Sequence, residues 1–124
     1  MQPITIRLGD VTLTAHLNGT LTARTLAPSL PLQSTAHRWG GELYWATPVI
    51  AVHESPTQDA QIGDLGYCVE GQSLCLFVGK TPASLDERPR PIVPVNIVGR
   101  CTLDERLRGI HDGATVQIEH PATP

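Results

Sequence analysis

Apolar and polar residues alternate at the start of the chain, which is the period of a half-buried β-strand. Positions 4–8 and 11–17 both carry an apolar residue at every second place, and Gly9-Asp10 separates the two runs. A two-residue connection that contains glycine is typical of a tight hairpin. Pairing Leu8 with Val11 collects the apolar residues of both runs on one face. The pattern therefore predicts an antiparallel hairpin with one buried face.

A second hairpin is predicted later in the chain, and its register follows from the same burial argument. A two-residue turn at 71–72 pairs Val69 with Leu74 and Tyr67 with Leu76. That register gathers the apolar side chains on one face, whereas a three-residue turn mixes polar and apolar residues on both faces. We therefore expect the two-residue turn.

The opposite face of this second hairpin carries Cys68, Cys75 and Phe77. In the predicted register the two cysteines are direct cross-strand neighbours and could form a redox pair. Alternatively, they are reduced and inert thiols that pack as small apolar groups. An apolar ring on the more polar face needs an explanation. Phe77 either lines a binding groove or lies under the short helix predicted at Thr20–Ala27.

The remaining segments predict further short strands and little helix. The helix from Thr20 has apolar residues at helical spacing, and Pro28 limits it to about two turns. Residues 34–52 predict a strand, a turn at Gly40-Gly41 and a second strand. Three more elements complete the assignment: a β-branched strand within 92–101, a helical turn from the capping box at Thr102 to about Gly109, and a last strand around Val116–Ile118.

The prediction thus has about eight short strands with one or two short helices. Two loops separate them: 53–61 is polar and is expected to be an exposed flap, and 79–91 is rich in proline, serine and charge. Because closure removes the exposed edges of a sheet this size, we predict a mainly β fold, a closed or nearly closed eight-stranded antiparallel barrel. Residues 1–120 form this single domain, and 121–124 form a tail.

Composition narrows the class of protein. The chain has 124 residues, of which 40% are hydrophobic and 17% charged, and this balance argues against disorder. A net charge of −3 makes nucleic acid an unexpected partner. The longest apolar stretch, Leu74–Val78, is far too short for a membrane helix, and no signal core precedes the first strand. We expect a cytoplasmic protein whose cysteines are reduced and which has no membrane partner.

No motif for catalysis or metal binding stands out. The five histidines are scattered, and the three cysteines form neither a CxxC motif nor a zinc-spaced cluster, so neither a metal nor a cofactor is expected. The chain has no Ser-His-Asp arrangement, nucleophile elbow or paired carboxylate site. His53, Glu54 and Asp59 could form an acid–base set, but their polar loop favours solvated side chains. We therefore assign no catalytic residue.

Several phrases of the sequence are shared with a known group. Residues 39–44 are Trp-Gly-Gly-Glu-Leu-Tyr, residues 74–82 are Leu-Cys-Leu-Phe-Val-Gly-Lys-Thr-Pro, and residues 94–99 are Pro-Val-Asn-Ile-Val-Gly. Together with the order of elements from Ile4 to about Ile118, they resemble the short prokaryotic cyclophilin-like domain family, whose biochemical role is not established. The resemblance implies an eight-stranded barrel with a ligand groove on the outer surface of the sheet.

The resemblance does not extend to the catalytic phrases of true cyclophilins. Those proteins have a Phe-His-Arg phrase, whose arginine polarises the prolyl peptide bond, and a Gln-Gly-Gly-Asp-Phe phrase beside it. Neither phrase occurs here, and Arg38 and Arg100 stand in different sequence contexts. Fold alone does not determine function, so the catalytic role is carried to neither arginine.

Eight residues are candidates for the implied groove, and several have a structural alternative. Trp39 and Tyr44 could instead fill the core or cover a barrel end, and Asn96 could satisfy a bulge. Lys80-Thr81 could be a solvated loop and not an anion site. The candidate ligand-binding residues are Trp39, Glu42, Tyr44, Cys75, Phe77, Lys80, Thr81 and Asn96.

Three hypotheses for function follow. We favour a non-catalytic module that binds a small molecule or a short peptide in this groove. The second hypothesis is a weak or atypical peptidyl-prolyl cis-trans isomerase, which would hold a proline-containing peptide in a twisted geometry without the usual arginine. The third is a structural interaction domain whose aromatic residues form a protein interface, such as that of a homodimer.

Overall fold

One antiparallel sheet dominates the computed structural model, which describes residues 2–122. Its nine strands are β1 (Gln2–Leu8), β2 (Val11–Leu17), β3 (Leu32–Thr35), β4 (His37–Trp39), β5 (Glu42–Ala46), β6 (Asp64–Cys68), β7 (Ser73–Phe77), β8 (Asn96–Cys101) and β9 (Thr115–Glu119). Within the described residues they are ordered β3-β9-β1-β2-β8-β6-β7-β5-β4. Of the predicted tail, residues 123 and 124 lie outside the described part of the chain, as does Met1.

The sheet curls into a nearly closed barrel because one stretch of chain supplies both of its edges. β3 pairs with β9, whereas β4 pairs with β5, and only Ala36 separates the two strands. The prediction treated this stretch as a single strand and so counted eight strands, not nine. At the seam, Ser34 Oγ donates a 2.7 Å hydrogen bond to the carbonyl oxygen of Ala46 in β5.

The first hairpin has the predicted register. Leu8 pairs with Val11 and Ile4 pairs with Ala15, and all four side chains are buried. Alternation along both strands specifies the buried face, and the two-residue connection Gly9-Asp10 selects the register, so local sequence is sufficient to specify both.

The second hairpin is shifted by two residues from the predicted register. Tyr67 pairs with Leu74 and not with Leu76, and the connection between the strands has four residues, 69–72. Gln72 is held beside the end of β5 and not paired with β6: the Thr47 N–H donates to the Gln72 carbonyl oxygen at 3.1 Å, and Gln72 Nε2 donates to the Thr47 carbonyl oxygen at 2.9 Å. Because the shift is an even number, each side chain stays on its predicted face.

Two helical segments contribute buried side chains to the core of the barrel. The helix α1 (Leu21–Leu26) begins at Thr20, whose hydroxyl accepts from the Ala23 N–H, and passes into a 3-10 turn over Ala27–Ser29. A second 3-10 turn, Glu105–Gly109, ends where predicted but does not begin at Thr102. Its N-cap is Asp104, whose carboxylate accepts from the Arg106 N–H at 2.9 Å.

The segment 53–61 is only in part the exposed flap that its polar sequence predicts, because most of its residues are exposed but the segment is anchored to the sheet. Thr57 and Val95 exchange two backbone hydrogen bonds of 2.9 Å, and Ala60 is fully buried. This segment therefore covers part of the outer face of the sheet and creates a second apolar cluster, separate from the barrel interior. The members of this cluster are Ala60, Cys75, Phe77 and Val95, with Tyr44, Cys68 and Ile97 packed at its margin.

Candidate functional site

A cleft of about 370 Å³ lies on the outer face of the sheet. Its floor comes from β4 to β7, and one wall comes from the irregular segment that precedes β8. The strand residues that line it are Trp39, Glu42, Tyr44, Cys68, Ser73 and Cys75; the wall residues are Pro91, Ile92, Val93 and Val95.

Alternation along the strands decides which side chains reach this cleft. In β5, Leu43 and Trp45 are buried in the barrel, so Glu42 and Tyr44 point outward. Tyr44 is the cross-strand partner of Cys75, which brings the outward-facing residues of β5 and β7 side by side.

The wall can approach the sheet because β6 has a glycine beneath it. A Cβ atom at Gly66 would lie 3.0 Å from Cys75 Sγ and 3.0 Å from Val95 Cγ2. Both distances are shorter than ordinary van der Waals contacts between carbon or sulfur atoms. The absence of a side chain at Gly66 therefore allows Val95 and Cys75 to meet and shapes the cleft.

Glu42 places a carboxyl group in this largely apolar setting. Its two cross-strand partners are Trp39 and Phe77, and burial raises the pKa of Glu42 from 4.5 to about 7. Within residues 2–122, the carboxyl of Glu42 has no lysine, arginine or histidine nitrogen within 4.0 Å. A carboxyl with this pKa is about half protonated at neutral pH.

The cleft cysteines are free, and their register is not the predicted one. Cys68 pairs with Ser73 and Cys75 pairs with Gly66, so the two cysteines are diagonal neighbours and not direct partners. Diagonal Cα atoms are about 7–8 Å apart, beyond the usual span of a disulfide. Burial, followed by the nearby Glu42 and Cys68, raises the pKa of the Cys75 thiol well above its ordinary value.

Four of the eight candidate residues meet in the cleft: Trp39, Glu42, Tyr44 and Cys75. Phe77 does not line it. That ring is fully buried against Ala60 and Val95, so it is covered neither by a groove ligand nor by α1. The segments that cover it come from distant parts of the chain.

Lys80 and Thr81 also lie outside the cleft. Lys80 is half exposed, its Nζ lies 3.7 Å from Glu87, and it borders a separate polar depression beside Arg38 and Glu105. Thr81 is buried, and its hydroxyl donates to the Arg90 carbonyl oxygen at 2.5 Å. Thr81 therefore holds its own loop together.

Asn96 is buried, and its side chain forms hydrogen bonds with other parts of the protein. Its Oδ1 accepts from the Glu54 N–H at 2.9 Å, and its Nδ2 donates to Thr22 Oγ1 at 3.1 Å and to the Val52 carbonyl at 2.9 Å. Glu54 in turn is not merely solvated, because its carboxylate accepts from the N–H groups of Leu21 and Thr22 at 2.8 Å and 2.9 Å. Asn96 and Glu54 thus join the loop after β5 to α1.

Sequence reasoning missed the wall of the cleft. Pro91 and Pro94 bracket Ile92 and Val93, and proline cannot donate to a sheet ladder. An apolar pair between two prolines was therefore a signal for a non-strand segment that packs on the sheet. Ile92 remains largely exposed at the rim of the cleft.

Neither arginine considered for a catalytic role reaches the cleft. Arg38 donates to the carbonyl oxygens of Leu107 and Ile110 at 2.8 Å and 3.1 Å, and so fixes the second 3-10 turn. Arg100 forms a 2.6 Å ion pair with the buried carboxylate of Asp64. The lining of the cleft contains no cationic side chain.

Between residues 2 and 122 no helix is both long and apolar enough to cross a membrane. In the same range no three His, Cys, Asp or Glu side chains are grouped so that they could hold a metal ion.

Comparison with known proteins identifies the family. The family model described as "Cyclophilin-like" matches residues 2–119, and the chain therefore belongs to the cyclophilin-like family. The solution structure of a hypothetical protein from Archaeoglobus fulgidus is similar, with 35% identity and a TM-score of 0.81 over 97% of this chain and 95% of the other. Comparison with curated proteins gave no match.

Proposed function

We propose that this protein is a non-catalytic binding module that holds a small, largely apolar molecule in the cleft. The observation that carries the proposal is the cleft itself, which combines two aromatic side chains and an apolar wall with few polar groups. Ligand sites are typically concave and apolar with a small number of placed polar groups, and about 370 Å³ is within their usual range of volume.

The chemistry of the lining supports binding more than catalysis. The thiol of Cys75 is buried, and its raised pKa keeps it protonated, so it is a poor nucleophile. No arginine is available to polarise a prolyl peptide bond in the cleft. Holding and orienting a ligand requires none of these groups.

A neutral fluorescent probe tests the proposal directly. N-Phenyl-1-naphthylamine gains fluorescence in apolar sites, and we expect it to titrate to a single saturable site on the wild-type protein. Ser73→Phe inserts a ring into the cleft and should weaken the binding of the probe by about tenfold or more. Thr12→Phe adds the same ring to the exposed side of β2 and serves as the matched control.

Each outcome of this titration is decisive when circular dichroism shows that both variants fold. Loss of probe binding in Ser73→Phe with retention in Thr12→Phe supports a cleft ligand. Equal binding by all three proteins, or no binding by any of them, overturns the proposal.

Exchange NMR on a short peptide with one Xaa-Pro bond tests the isomerase alternative. Uncatalysed exchange takes tens to hundreds of seconds, so catalysis would appear as new exchange peaks. If the wild-type protein accelerates this exchange and Ser73→Phe abolishes the acceleration, the protein is an isomerase and not a non-catalytic binding module. We expect no acceleration.

A further inference from the structure

We propose that the ligand of this cleft is an organic cation whose ammonium group is held by Glu42, Trp39 and Tyr44. This inference rests on the proposed binding function and specifies its ligand class. Three separate observations lead to it: an uncompensated carboxyl, two flanking aromatic side chains and an apolar wall without charge.

The first observation is the isolation of Glu42. It is the one carboxylic acid among the residues that line the cleft, and the lining has no lysine, arginine or histidine to neutralise it. An ionised carboxylate in an apolar site is costly unless it is paired. A ligand that carries a positive charge supplies the missing partner, whereas a neutral ligand leaves the carboxylate unpaired and an anionic ligand is repelled.

The second observation is the placement of the aromatic side chains. Trp39 is the direct cross-strand partner of Glu42, and Tyr44 lies two residues further along the same strand on the same face. Cross-strand Cβ atoms are about 4.5–5.5 Å apart, and residues two apart on a strand are separated by about 7 Å. A cation within about 6 Å of an aromatic ring is attracted by the negative face of the ring. Both rings are therefore within reach of a cation paired with Glu42.

The third observation distinguishes an organic cation from a metal ion. No group of three His, Cys, Asp or Glu side chains suited to a metal is found between residues 2 and 122. The opposite wall of the cleft is Pro91, Ile92, Val93 and Val95, which offers apolar contact and no charge. The ligand thus combines an ammonium head with an apolar body.

The state of ionisation of Glu42 makes this binding dependent on pH. The other titratable groups that line the cleft are Tyr44 on its own strand, Cys75 on β7 and Cys68 on β6, while His37 of β4 packs on Tyr44 at a ring separation of 5.3 Å. The wall segment contributes none. Only the ionised carboxylate attracts a cation, so affinity should rise with pH up to about 7 and level off above it.

A pair of isosteric probes tests the proposal. Phenyltrimethylammonium carries the cation, and tert-butylbenzene has carbon in place of nitrogen and no charge. We expect the cation to bind about tenfold more tightly than the hydrocarbon at pH 8, measured by NMR shifts of the tryptophan indole N–H signals. At pH 6 the preference should shrink by a similar factor.

Glu42→Gln keeps the shape of the side chain and removes its charge. This variant should lose most of the preference for the cation, keeping only the part that Trp39 and Tyr44 supply, and all of the pH dependence. Its affinity for tert-butylbenzene should stay unchanged. Glu70→Gln removes a charge from the exposed β6–β7 connection and should behave like the wild-type protein.

The outcomes separate this inference from the proposed function. If N-phenyl-1-naphthylamine binds in the cleft but the cation shows no preference over tert-butylbenzene, the organic-cation proposal is wrong and the binding module stands. If the naphthylamine also fails to bind, the proposed function itself is overturned. A preference that is as large in Glu42→Gln as in the wild-type protein likewise contradicts the role given to this carboxyl.

Discussion

Asn96 Oδ1 accepts a hydrogen bond of 2.9 Å from the backbone N–H of Glu54, and this contact ties the loop after β5 to the start of β8. The two residues are far apart in the sequence. From the sequence, Asn96 was a candidate ligand-binding residue and Glu54 a member of a candidate acid–base set. Their side chains instead bind the first turn of α1: Asn96 reaches Thr22 Oγ1, and Glu54 accepts from the N–H of Thr22. The pair thus holds together three segments: the loop after β5, the first turn of α1 and the start of β8.

Asn96→Ala should destabilise the protein by about 2–3 kcal/mol. The substitution removes three hydrogen bonds of the buried Asn96 side chain, to the Glu54 N–H, the Val52 carbonyl oxygen and the buried Thr22 hydroxyl, and each such bond contributes about 0.5–1.5 kcal/mol. Urea unfolding followed by tryptophan fluorescence measures the change. Gln61→Ala, at an exposed position, is the control and should stay within about 0.5 kcal/mol of wild type. A similar loss in both variants would argue against the bridging role of Asn96.

Glu42→Gln should raise stability at pH 8 and leave it unchanged near pH 4. The pKa of Glu42 rises from 4.5 to about 7 on folding, so the folded state binds the proton more tightly than the unfolded state. Between these two pH values the stability contributed by Glu42 therefore falls as the pH rises, and the full loss is present above about 7. Partial exposure of the carboxyl limits the effect to about 1–2 kcal/mol.

Thermal unfolding of both proteins across this pH range measures the difference between them. Acidic groups elsewhere titrate in both proteins, so their contributions to stability cancel when the two proteins are compared. A stability difference that does not change with pH would contradict the raised pKa of Glu42.

Gly41→Ala should destabilise the protein by more than about 3 kcal/mol. A Cβ atom at this position would overlap the backbone carbonyl of Gly79. The two backbone segments cannot separate to make room, because the Val78 and Gly79 N–H groups both donate to the Gly41 carbonyl oxygen. Gly109→Ala is the matched control, since its Cβ would meet nothing within 4 Å, and it should be neutral or stabilising by up to about 1 kcal/mol. Equal melting temperatures for the two variants would exclude this close approach.

Iodoacetamide should modify Cys68 first in the folded protein. Cys68 is half-buried, whereas Cys75 and Cys101 are buried, and burial raises the pKa of Cys101 to about 12 and that of Cys75 well above its ordinary value. The thiolate is the reactive form, so the two buried thiols should react only after unfolding. Mass spectrometry of wild type and Cys68→Ser counts the alkyl groups added. Rapid modification of Cys68→Ser would mean that Cys75 or Cys101 is more accessible than its burial indicates.

Elements made by neighbouring residues were predictable, and elements made by distant ones were not. The two-residue turn at Gly9-Asp10 selects the register of the first hairpin, alternation along its strands selects the buried face, and both are as observed. The predicted register of β6 and β7 was wrong by two residues. Gln72 is instead bonded to Thr47, whose N–H donates to the Gln72 carbonyl oxygen and whose carbonyl oxygen accepts from Gln72 Nε2, and no local pattern encodes these contacts. Trp39, Glu42, Tyr44 and Cys75 share the cleft because their outward orientation follows from strand alternation alone.

The sequence by itself determined the mainly β architecture, the inner and outer faces of the strands and the family to which the chain belongs. Only the tertiary structure decided what covers the outer face. Phe77 is hidden by Ala60 and Val95, and Asn96 is enclosed by the loop around Glu54. Alternation along a strand specifies a face, since neighbouring side chains point to opposite sides. It does not specify which distant segment packs on that face, because that choice depends on long-range contacts formed only when the whole barrel closes.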